Sequence, residues 1–493
     1  MYKSKHSGQQ LEFVDFYLPF GGKLKTNNRW VILRSLIPWD EIEEEYAKNF
    51  SKRGPRALSS QIALGSLIIK ERLDLTDEET AAQISENPYL QYFIGFEEFS
   101  DDLPFDSSSL THFRKRFDLD TINRFNEIIC LKKDDDVEKS NDEDDTKDPP
   151  KPIENQGQLL MDATCIPADI TYPTDMKLLN KCREKSEKII DLLHKKENDK
   201  KKVRTYRQKA RKNFLGFIRK KRHSNKVRRK AISKQLSYLK RNLAHIEELK
   251  KGCGLGILGK GLHRDLIVIN EIYRQQKDLF LRKSTQVDDR IVSLSQPHIR
   301  PIKRGKLKAA TEFGAKISIS LVDGLSYLDR LSWDAYNETE DLIPQVESYK
   351  QRHGFYPESV HADQIYRSVK NRNYCKEKGI RLSGKPLGRP TKDSEILALQ
   401  KDQFRLDEIS RIPVEGKFGQ VKRRFGLSRL MCKLAKTSET VIALVFMISN
   451  LEKKLVRAFI FVFISVAKRL FERSFKQWNC KKYGEMIMRF RSV

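Results

Sequence analysis

Long apolar runs are missing from this sequence, and their absence bears on where the protein works. The longest run covers residues 458–467, only ten positions, and basic residues flank it closely at Lys454, Arg457, Lys468 and Arg469. A helix that crosses a bilayer needs roughly 20 apolar residues, so we predict no membrane partner. The chain also begins with a polar stretch, residues 1–10, rather than a basic and apolar secretion leader. We therefore expect the protein in the cytoplasm.

Cysteine pairs at metal-binding or disulfide-like spacing are also absent. The seven cysteines are widely spaced and odd in number, and no CxxC or Cys/His ligand spacing occurs. This pattern argues against a structural zinc site and predicts free thiols.

Negative charge is in short supply relative to positive charge. The 493 residues include 95 Lys or Arg and 67 Asp or Glu, which gives a net charge of +28 and an isoelectric point near 9.6. Such a balance attracts polyanions, either nucleic acid or an anionic membrane surface. Apolar residues make up 39% of the chain, enough for packed cores, and the length predicts two or three folded units.

Residues 1–133 predict a helical N-terminal domain. Apolar residues at helical spacing run through residues 40–130, and Thr76 with Glu79 forms a capping box before residues 77–85. A short helix at 107–117 carries Arg114, Lys115 and Arg116, which suits a helix-turn-helix-like DNA-binding module. A helical packing or dimerisation domain fits the same pattern. The acidic and proline-rich residues 134–155 then predict a linker.

A strongly basic segment follows the first predicted strand after the linker, residues 158–164. Residues 176–250 contain 27 Lys or Arg and 7 Asp or Glu, a net charge of +20. Apolar residues at helical spacing in 232–246 predict an amphipathic helix that pairs with a helix at 178–193. This concentration of charge favours contact with DNA phosphates over a merely solvated face. The residues that we assign to this contact are Lys220, Lys221, Arg222, Arg228, Arg229 and Lys230.

From residue 314 onward, strands and helices alternate. Strands are predicted at 317–321 and 327–333, joined by a turn at Asp323-Gly324, and at 359–363 and 380–383. Helices are predicted at 341–353, at 368–378 and from residue 395. We therefore predict an α/β core with a mixed sheet over residues 156–450, a helical insertion at 176–310 and a helical tail at 451–493. Helices at 442–448 and 459–466 are expected to close the core.

Three carboxylates stand at the ends of these elements. Asp162 ends the first strand, Asp363 ends the fourth, and Glu415 lies on the last helix. If the two strands are adjacent, the aspartates lie side by side and the glutamate helix can cover the same sheet edge. Converging carboxylates repel one another unless cations neutralise them, and hard oxygen ligands suit Mg²⁺ or Mn²⁺. Two such ions can drive phosphoryl transfer. The competitors of Asp162, as strand-end or turn aspartates, are Asp169, Asp175 and Asp323.

The sequence around each carboxylate is distinctive: LMDATCIPADITYPTD at Asp162, VHADQIYR at Asp363 and RIPVEGKFGQVKRRFGL at Glu415. Together with ENPYLQYFIGF and FDSSSLTHFRKRF upstream, these stretches resemble the DDE transposases of bacterial insertion sequences, in the broad IS4/IS5 group (IS5/IS1182 type). The resemblance implies an RNase H-like catalytic core preceded by an N-terminal transposase domain. It also implies that Asp162, Asp363 and Glu415 are catalytic ligands of two Mg²⁺ or Mn²⁺ ions.

The signature of this group around the glutamate is Tyr, Arg, Glu and Lys at fixed spacing. Arg411, Glu415 and Lys422 fit that spacing, whereas Glu408 stands at the Tyr position. Offsets of four and eleven place the three fitting residues along one helix stripe. Arg411 and Lys422, together with Arg423, would then bind DNA phosphates beside the metal ions.

The function implied is transposition of a mobile DNA element. The enzyme would bind the element's terminal inverted repeats, free their 3′-hydroxyls and join these to target DNA. The partners implied are both DNAs and a second copy of the chain, as a homodimer on DNA, at the bacterial nucleoid; no small-molecule substrate is expected. Two alternatives stay open: a nuclease of the same fold without strand transfer, and a non-catalytic DNA-binding remnant.

Overall fold

The computed structural model describes residues 18, 22–50, 57–132, 154–196, 203–303, 311–385 and 394–490. These residues form a mixed α/β architecture in which helices surround a six-stranded sheet. The predicted linker lies outside the described residues, except for its last two positions. The predicted α/β class is confirmed, while the domain boundaries stay a prediction.

The centre of the sheet is β1 (Gln158–Pro167). It pairs antiparallel with β3 (Thr311–Val322) on one side and parallel with β5 (Ser359–His361) on the other. Beyond β5 lies β6 (Arg381–Leu382), also parallel, while β2 (Arg300–Lys303) and β4 (Leu325–Ser332) pair antiparallel with successive stretches of β3. The first strand and the strand before Asp363 are adjacent, as the predicted site requires. The expectation that Asp162 ends its strand is wrong, because pairing with β3 continues β1 to Pro167.

Two glycines fix the path of β3. Gly314 lies so close to β1 that a Cβ at this position would overlap the carbonyl oxygen of Ile166. At the other end, Asp323 and Gly324 have φ angles of 51° and 77° and form the predicted turn into β4. Two consecutive positive φ angles match the right-handed twist of a hairpin.

Helices cover both faces of the sheet. α12 (Leu342–His353) and α13 (Val369–Glu377) pack on one face, where they share an apolar core with Leu159 and Met161 of β1. α14 (Ser394–Arg423) and α15 (Ala435–Phe490) pack on the other face, with Leu160 and Ile166. Because side chains alternate along a strand, Asp162 and Thr164 lie on the face that α14 covers.

Seven helices of the described residues precede the sheet, and the bounds of the last six agree within one residue with the predicted helical region 40–130. They are α1 (Arg29–Leu36), α2 (Trp39–Ala47), α3 (Ser60–Leu73), α4 (Asp77–Glu86), α5 (Pro88–Phe93), α6 (Ser109–Arg116) and α7 (Leu119–Leu131). The capping box predicted at Thr76 and Glu79 is present and begins α4. The first helix, α1, was not predicted; it is short, and its capping residue Asn28 is its clearest signal.

The N-terminal helices share their core with α14 and α15. Buried residues of α3, α6, α7, α14 and α15 belong to one apolar cluster that reaches the sheet. At its edge the Asn450 side chain of α15 donates to Asn126 of α7 at 2.8 Å and to the Ser326 carbonyl of β4 at 2.7 Å. The first half of α15 therefore joins the N-terminal helices to the sheet.

The insertion between β1 and β2 contains four helices in its described residues: α8 (Asp175–Lys196), α9 (Arg207–Ile218), α10 (Asn225–Cys253) and α11 (Lys260–Arg282). The predicted pairing of α8 with α10 is confirmed, because both contribute to a separate apolar core. Asn242 of α10 also donates to Ser186 of α8 at 2.9 Å. α9 and α11 were not predicted from the sequence, although α11 completes the same core with Ile269 and Ile272.

The end of α15 departs from expectation. Residues 442–448 are buried in the core as predicted, but they belong to one continuous helix rather than a separate one. The prediction that residues 459–466 close the core is wrong, because Phe459, Ile460, Phe461, Phe463 and Ile464 are exposed. Despite this apolar stretch, none of the described helices combines the length and apolarity needed to span a membrane. Cysteines in the described core, such as Cys130 and Cys182, are free thiols as predicted.

His298, just before β2, makes the stability of the fold depend on pH. Its ring packs edge-on against Trp333, with centroids 4.4 Å apart. Burial, helped by the charges of Arg300 and Arg264, lowers the pKa of His298 to about 4. The unfolded chain takes up a proton near pH 6.5 but the folded chain only near pH 4, so stability is full above 6.5 and falls as the pH drops through this range.

We expect this group to lower the free energy of unfolding by about 1–2 kcal/mol between pH 7.5 and pH 5, after allowance for solvent at the half-buried ring. The His298→Phe protein should lack this part of the pH dependence. Urea unfolding at both pH values measures it. Equal pH dependence in the two proteins would contradict the prediction.

Candidate active site

Asp162 lies on the face of β1 that α14 covers. Its carboxylate accepts a hydrogen bond from the Ala163 N–H at 2.8 Å. The pKa of Asp162 is raised to about 6, chiefly by burial and to a lesser extent by the negative charges of Glu338 and Asp363, although the Ala163 N–H and Arg411 act in the opposite direction. A half-buried carboxylate that interacts with other negative charges favours a bound cation.

Asp363 follows β5 at the same edge of the sheet. Leu160 of β1 pairs with His361 of β5, and because the strands are parallel, Asp162 and Asp363 both follow that pair by two residues. The Asp363 carboxylate is exposed, accepts a hydrogen bond from the Gln364 N–H at 2.7 Å and lies 3.6 Å from the guanidinium of Arg411. The two aspartates are therefore neighbours across adjacent strands.

The helix α14 crosses this edge and contacts the sheet along one stripe. Arg411 reaches Asp363 after β5, and the ammonium of Lys422 donates to Thr164 of β1 at 2.8 Å. Between them, Val414, Phe418 and Val421 are buried in the core below the helix. Glu415 lies one turn after Arg411 on the same stripe, and it is exposed.

These positions bring two of the three predicted ligands together. Asp162 and Asp363 interact electrostatically, whereas Glu415 lies on the covering helix with an exposed side chain. In the part of the chain that the structure describes, no three His, Cys, Asp or Glu side chains lie close enough to hold a metal ion. The assignment of Glu415 as the third ligand thus stays a prediction.

A buried carboxylate that was not predicted from the sequence, Asp407, anchors α14 upstream of this stripe. Asp407 is 4% exposed, and it accepts hydrogen bonds from Arg381 of β6 at 2.8 Å and from the Gly384 N–H at 3.3 Å. The ring of His361 lies 3.6 Å away. Burial opposes ionisation, but the hydrogen bonds, that of Arg381 foremost, hold the pKa of Asp407 below its usual value. Asp407 therefore fixes the helix against β5 and β6, one turn before Arg411.

Glu338 is the other carboxylate that was not predicted. It begins a short 3-10 turn (Glu338–Asp341), and its carboxylate lies 2.9 Å from the ammonium of Lys316 of β3. Its charge contributes to the raised pKa of Asp162. The acidic stretch NETED at residues 337–341 is the sequence feature that could have pointed to Glu338. The position of this stretch beside β1 could not be predicted from it, because that position depends on how β3 and β4 pair.

Most of the basic residues predicted to contact DNA lie at the surface. Lys220, Lys221, Arg222, Arg228 and Lys230 are exposed, as is Arg423 at the end of α14. Arg229 instead stacks over Phe280 of α11, 4.3 Å from the ring centroid. On α6, two of the three basic residues hold the fold together: Arg114 pairs with Asp77 at 2.6 Å and Arg116 donates to Tyr46 at 3.0 Å.

Comparison with known proteins identifies two regions of the chain. Residues 360–452 match a family described as Transposase DDE domain, and residues 19–116 match one described as Transposase domain (DUF772). The resemblance to a DDE transposase is confirmed. The transposase DDE domain match contains Asp363, Arg411, Glu415 and Lys422, and it begins after Asp162.

A shorter similarity links the chain to one curated relative. The uncharacterized protein ORF8 in the nfe locus of Rhizobium meliloti is 37% identical over 86 residues, which are 17% of this chain and 42% of that protein. The chain thus spans less than half the length of this relative. No solved structure matches the chain significantly. The two transposase domains indicate a transposase. They do not by themselves show how it acts on DNA.

Proposed function

We propose that this protein is a DDE transposase that binds the terminal inverted repeats of an insertion sequence and catalyses metal-dependent DNA cleavage and strand transfer. In this proposal the sheet and its covering helices are an RNase H-like core. Asp162, Asp363 and Glu415 are the catalytic residues and metal ligands. The protein acts at the nucleoid, in the cytoplasm of a bacterial cell, as a homodimer on DNA.

The placement of α14 carries the proposal. Arg411 and Lys422 hold the helix over the end of β5 and the middle of β1, next to Asp363 and Asp162. Glu415 lies between these two contacts on the same stripe of the helix. A rotation of its long side chain toward the sheet would bring the third carboxylate to the two aspartates. A surface glutamate with no role would not need to lie between two contacts to the aspartate-bearing strands.

The donor set fits a hard divalent cation. Carboxylate oxygens are the ligands that Mg²⁺ and Mn²⁺ prefer, and the raised pKa of Asp162 reflects burial and negative charge that a cation would relieve. Bound there, two ions would supply activation of a water or a 3′-hydroxyl and stabilisation of the leaving oxygen.

The basic residues of α14 bind and orient the DNA strand. Arg411 is half-buried beside Asp363, so an incoming phosphate can share its guanidinium without a large movement of the helix. Lys422 is held by Thr164 on the other strand, and Arg423 is exposed next to it. A DNA backbone that runs along this stripe meets positive charge on both sides of Glu415.

The insertion supplies the second DNA contact. Replacing Lys220 and Lys221 with Gln should weaken DNA binding and reduce the slope of log affinity against log salt by about 0.9 for each phosphate that the protein no longer neutralises. Fluorescence anisotropy titrations at several salt concentrations measure both quantities. The matched control is Lys350→Gln with Lys376→Gln, two exposed lysines on the face of the sheet opposite α14. Identical salt slopes for the two double variants would show that the insertion charge is only solvated.

The proposal is tested with DNA that carries the inverted repeats flanking the gene. A transposase cleaves at the repeat ends in Mg²⁺ and joins the freed 3′-hydroxyls to a second DNA. A nuclease of the same fold cleaves but does not join, and a remnant binds without doing either. The absence of cleavage under all metal conditions would refute an enzymatic function.

A further inference from the structure

One end of the insertion brings three helix ends together. α9 ends at Ile218, α10 begins at Asn225, and Arg229 of α10 stacks over Phe280 near the end of α11. We call this surface, residues 214–230 and 280–283, the hairpin tip. The rings of Phe217 and His223 stack across the turn, with centroids 3.9 Å apart and planes 8° from parallel. This contact gives the turn a fixed shape.

The hairpin tip is positively charged, and no acidic residue in the surrounding sequence neutralises this charge. Residues 203–246 contain 16 Lys or Arg and no Asp or Glu. Much of that charge is on the tip surface, where the exposed cations are Arg219, Lys220, Lys221, Arg222, Lys226, Arg228 and Lys230. Such a surface repels a second copy of itself and fits a polyanion.

Apolar side chains are exposed among these cations. Leu215 is 40% exposed, Ile218 41%, Val227 49% and Leu281 65%. Leu215 and Ile218 lie one turn apart on the same face of α9. None of the four is part of the apolar core of the insertion. Binding to phosphates alone would not use these four apolar side chains. They therefore indicate a ligand that presents apolar surface between negative charges.

We propose that the hairpin tip is a wedge for DNA with locally unpaired bases. Leu215 and Ile218 enter between bases, with Val227 and Leu281 beside them, while the surrounding cations hold the phosphates on either side. The inference rests on the proposed function, since it assumes that the protein acts on DNA. Proteins that insert aliphatic side chains between base steps must unstack the bases, and DNA that is already unpaired spares that cost. The wedge therefore predicts a preference for distorted over fully paired DNA.

The test compares two duplexes of equal length, one fully paired and one with a central bubble of mismatched bases, in fluorescence anisotropy at one salt concentration. The wild-type protein should bind the bubble about tenfold more tightly or better. The Leu215→Ser, Ile218→Ser double variant should bind the paired duplex as the wild type does and lose this preference. The matched control, Lys220→Gln with Lys221→Gln, should lose affinity for both DNAs and keep the preference. Since all four positions are exposed, thermal unfolding should be unchanged in both variants.

Equal preference for the bubble in the wild type and the serine variant overturns the wedge, as does a wild type without any preference. Either result leaves the proposed function standing, because the protein still binds DNA. Failure of the wild type to bind either DNA would instead refute the proposed function. Vesicles of phosphatidylserine provide the remaining arm: loss of vesicle binding in the serine variant with an unchanged DNA preference would assign the apolar side chains to a membrane surface and overturn the wedge.

Discussion

Replacing Asp363 with Asn should abolish DNA cleavage and strand transfer and leave DNA binding intact. The change removes one negative charge and nearly preserves the size of the side chain. A neutral amide is a poorer ligand for Mg²⁺ than a carboxylate, and both chemical steps depend on the same site. We expect both rates to fall by roughly three orders of magnitude or more, because electrostatic stabilisation of the transition state is the largest contribution to such catalysis.

The same substitution separates an enzyme from a binding protein. The exposed Asp363 faces the surface on which a DNA backbone would run, so removal of its charge should maintain or improve affinity. Binding and cleavage must therefore be measured on one preparation. Asp402→Asn is the matched control, because Asp402 is exposed on α14, loses the same charge and lies on the opposite face of the helix from Arg411. Substantial cleavage by the Asp363→Asn protein in Mg²⁺ would contradict the proposed site.

The Asp407→Asn protein should cleave DNA roughly 10–100-fold more slowly at a given Mg²⁺ concentration and bind DNA with unchanged affinity. Asp407 is a positioning residue: it touches neither aspartate, but it fixes α14 to β5 and β6 through Arg381 and the Gly384 N–H. Loss of the carboxylate removes the partner of Arg381 beside buried His361, and because water can solvate the 43% exposed Arg381 side chain, the cost is about 1–2 kcal/mol of stability. Without this contact, α14 can shift relative to β5 and β6. Arg411 and Glu415 then move away from the positions that fast cleavage requires.

A readout beyond activity distinguishes positioning from general loss of stability. In the Asp407→Asn protein the Mg²⁺ concentration for half-maximal cleavage should rise, and rates at saturating metal should recover in part. A merely destabilised protein loses active molecules without a change in the metal dependence of those that remain. An unaltered Mg²⁺ dependence, measured below the unfolding temperature, would show that Asp407 has no positioning role.

Much of the core followed from the sequence because local pattern and chain order specify it. Alternation predicted β3 and β4, and the Asp323-Gly324 pair predicted the turn between them. The adjacency of β1 and β5 was a condition of the predicted site rather than a consequence of the sequence pattern, and Asp162 lies within β1 rather than at its end. The stripe from Arg411 to Lys422 followed from helical spacing, and both end residues do contact the sheet.

The errors have physical reasons. An apolar pattern predicts a helix but not what covers it, so the exposed residues 459–464 were wrongly placed in the core. Asp407 looks like an ordinary helix-surface acid until β6 brings Arg381 beside it, from 26 residues away along the chain. Glu338 becomes a neighbour of Asp162 only through the pairing of β1 with β3. Interactions of this kind depend on tertiary structure that residue spacing does not encode.

The central claim is that Glu415 completes a metal site with Asp162 and Asp363. Binding of Mn²⁺ to the protein–DNA complex, followed by electron paramagnetic resonance, tests it most directly. The wild type and the Asp402→Asn control should bind Mn²⁺ alike, and the Glu415→Gln protein should bind at least about tenfold more weakly or hold fewer ions. If the Glu415→Gln complex binds Mn²⁺ with the affinity and stoichiometry of the wild type, Glu415 is not a ligand and the three-carboxylate site is wrong.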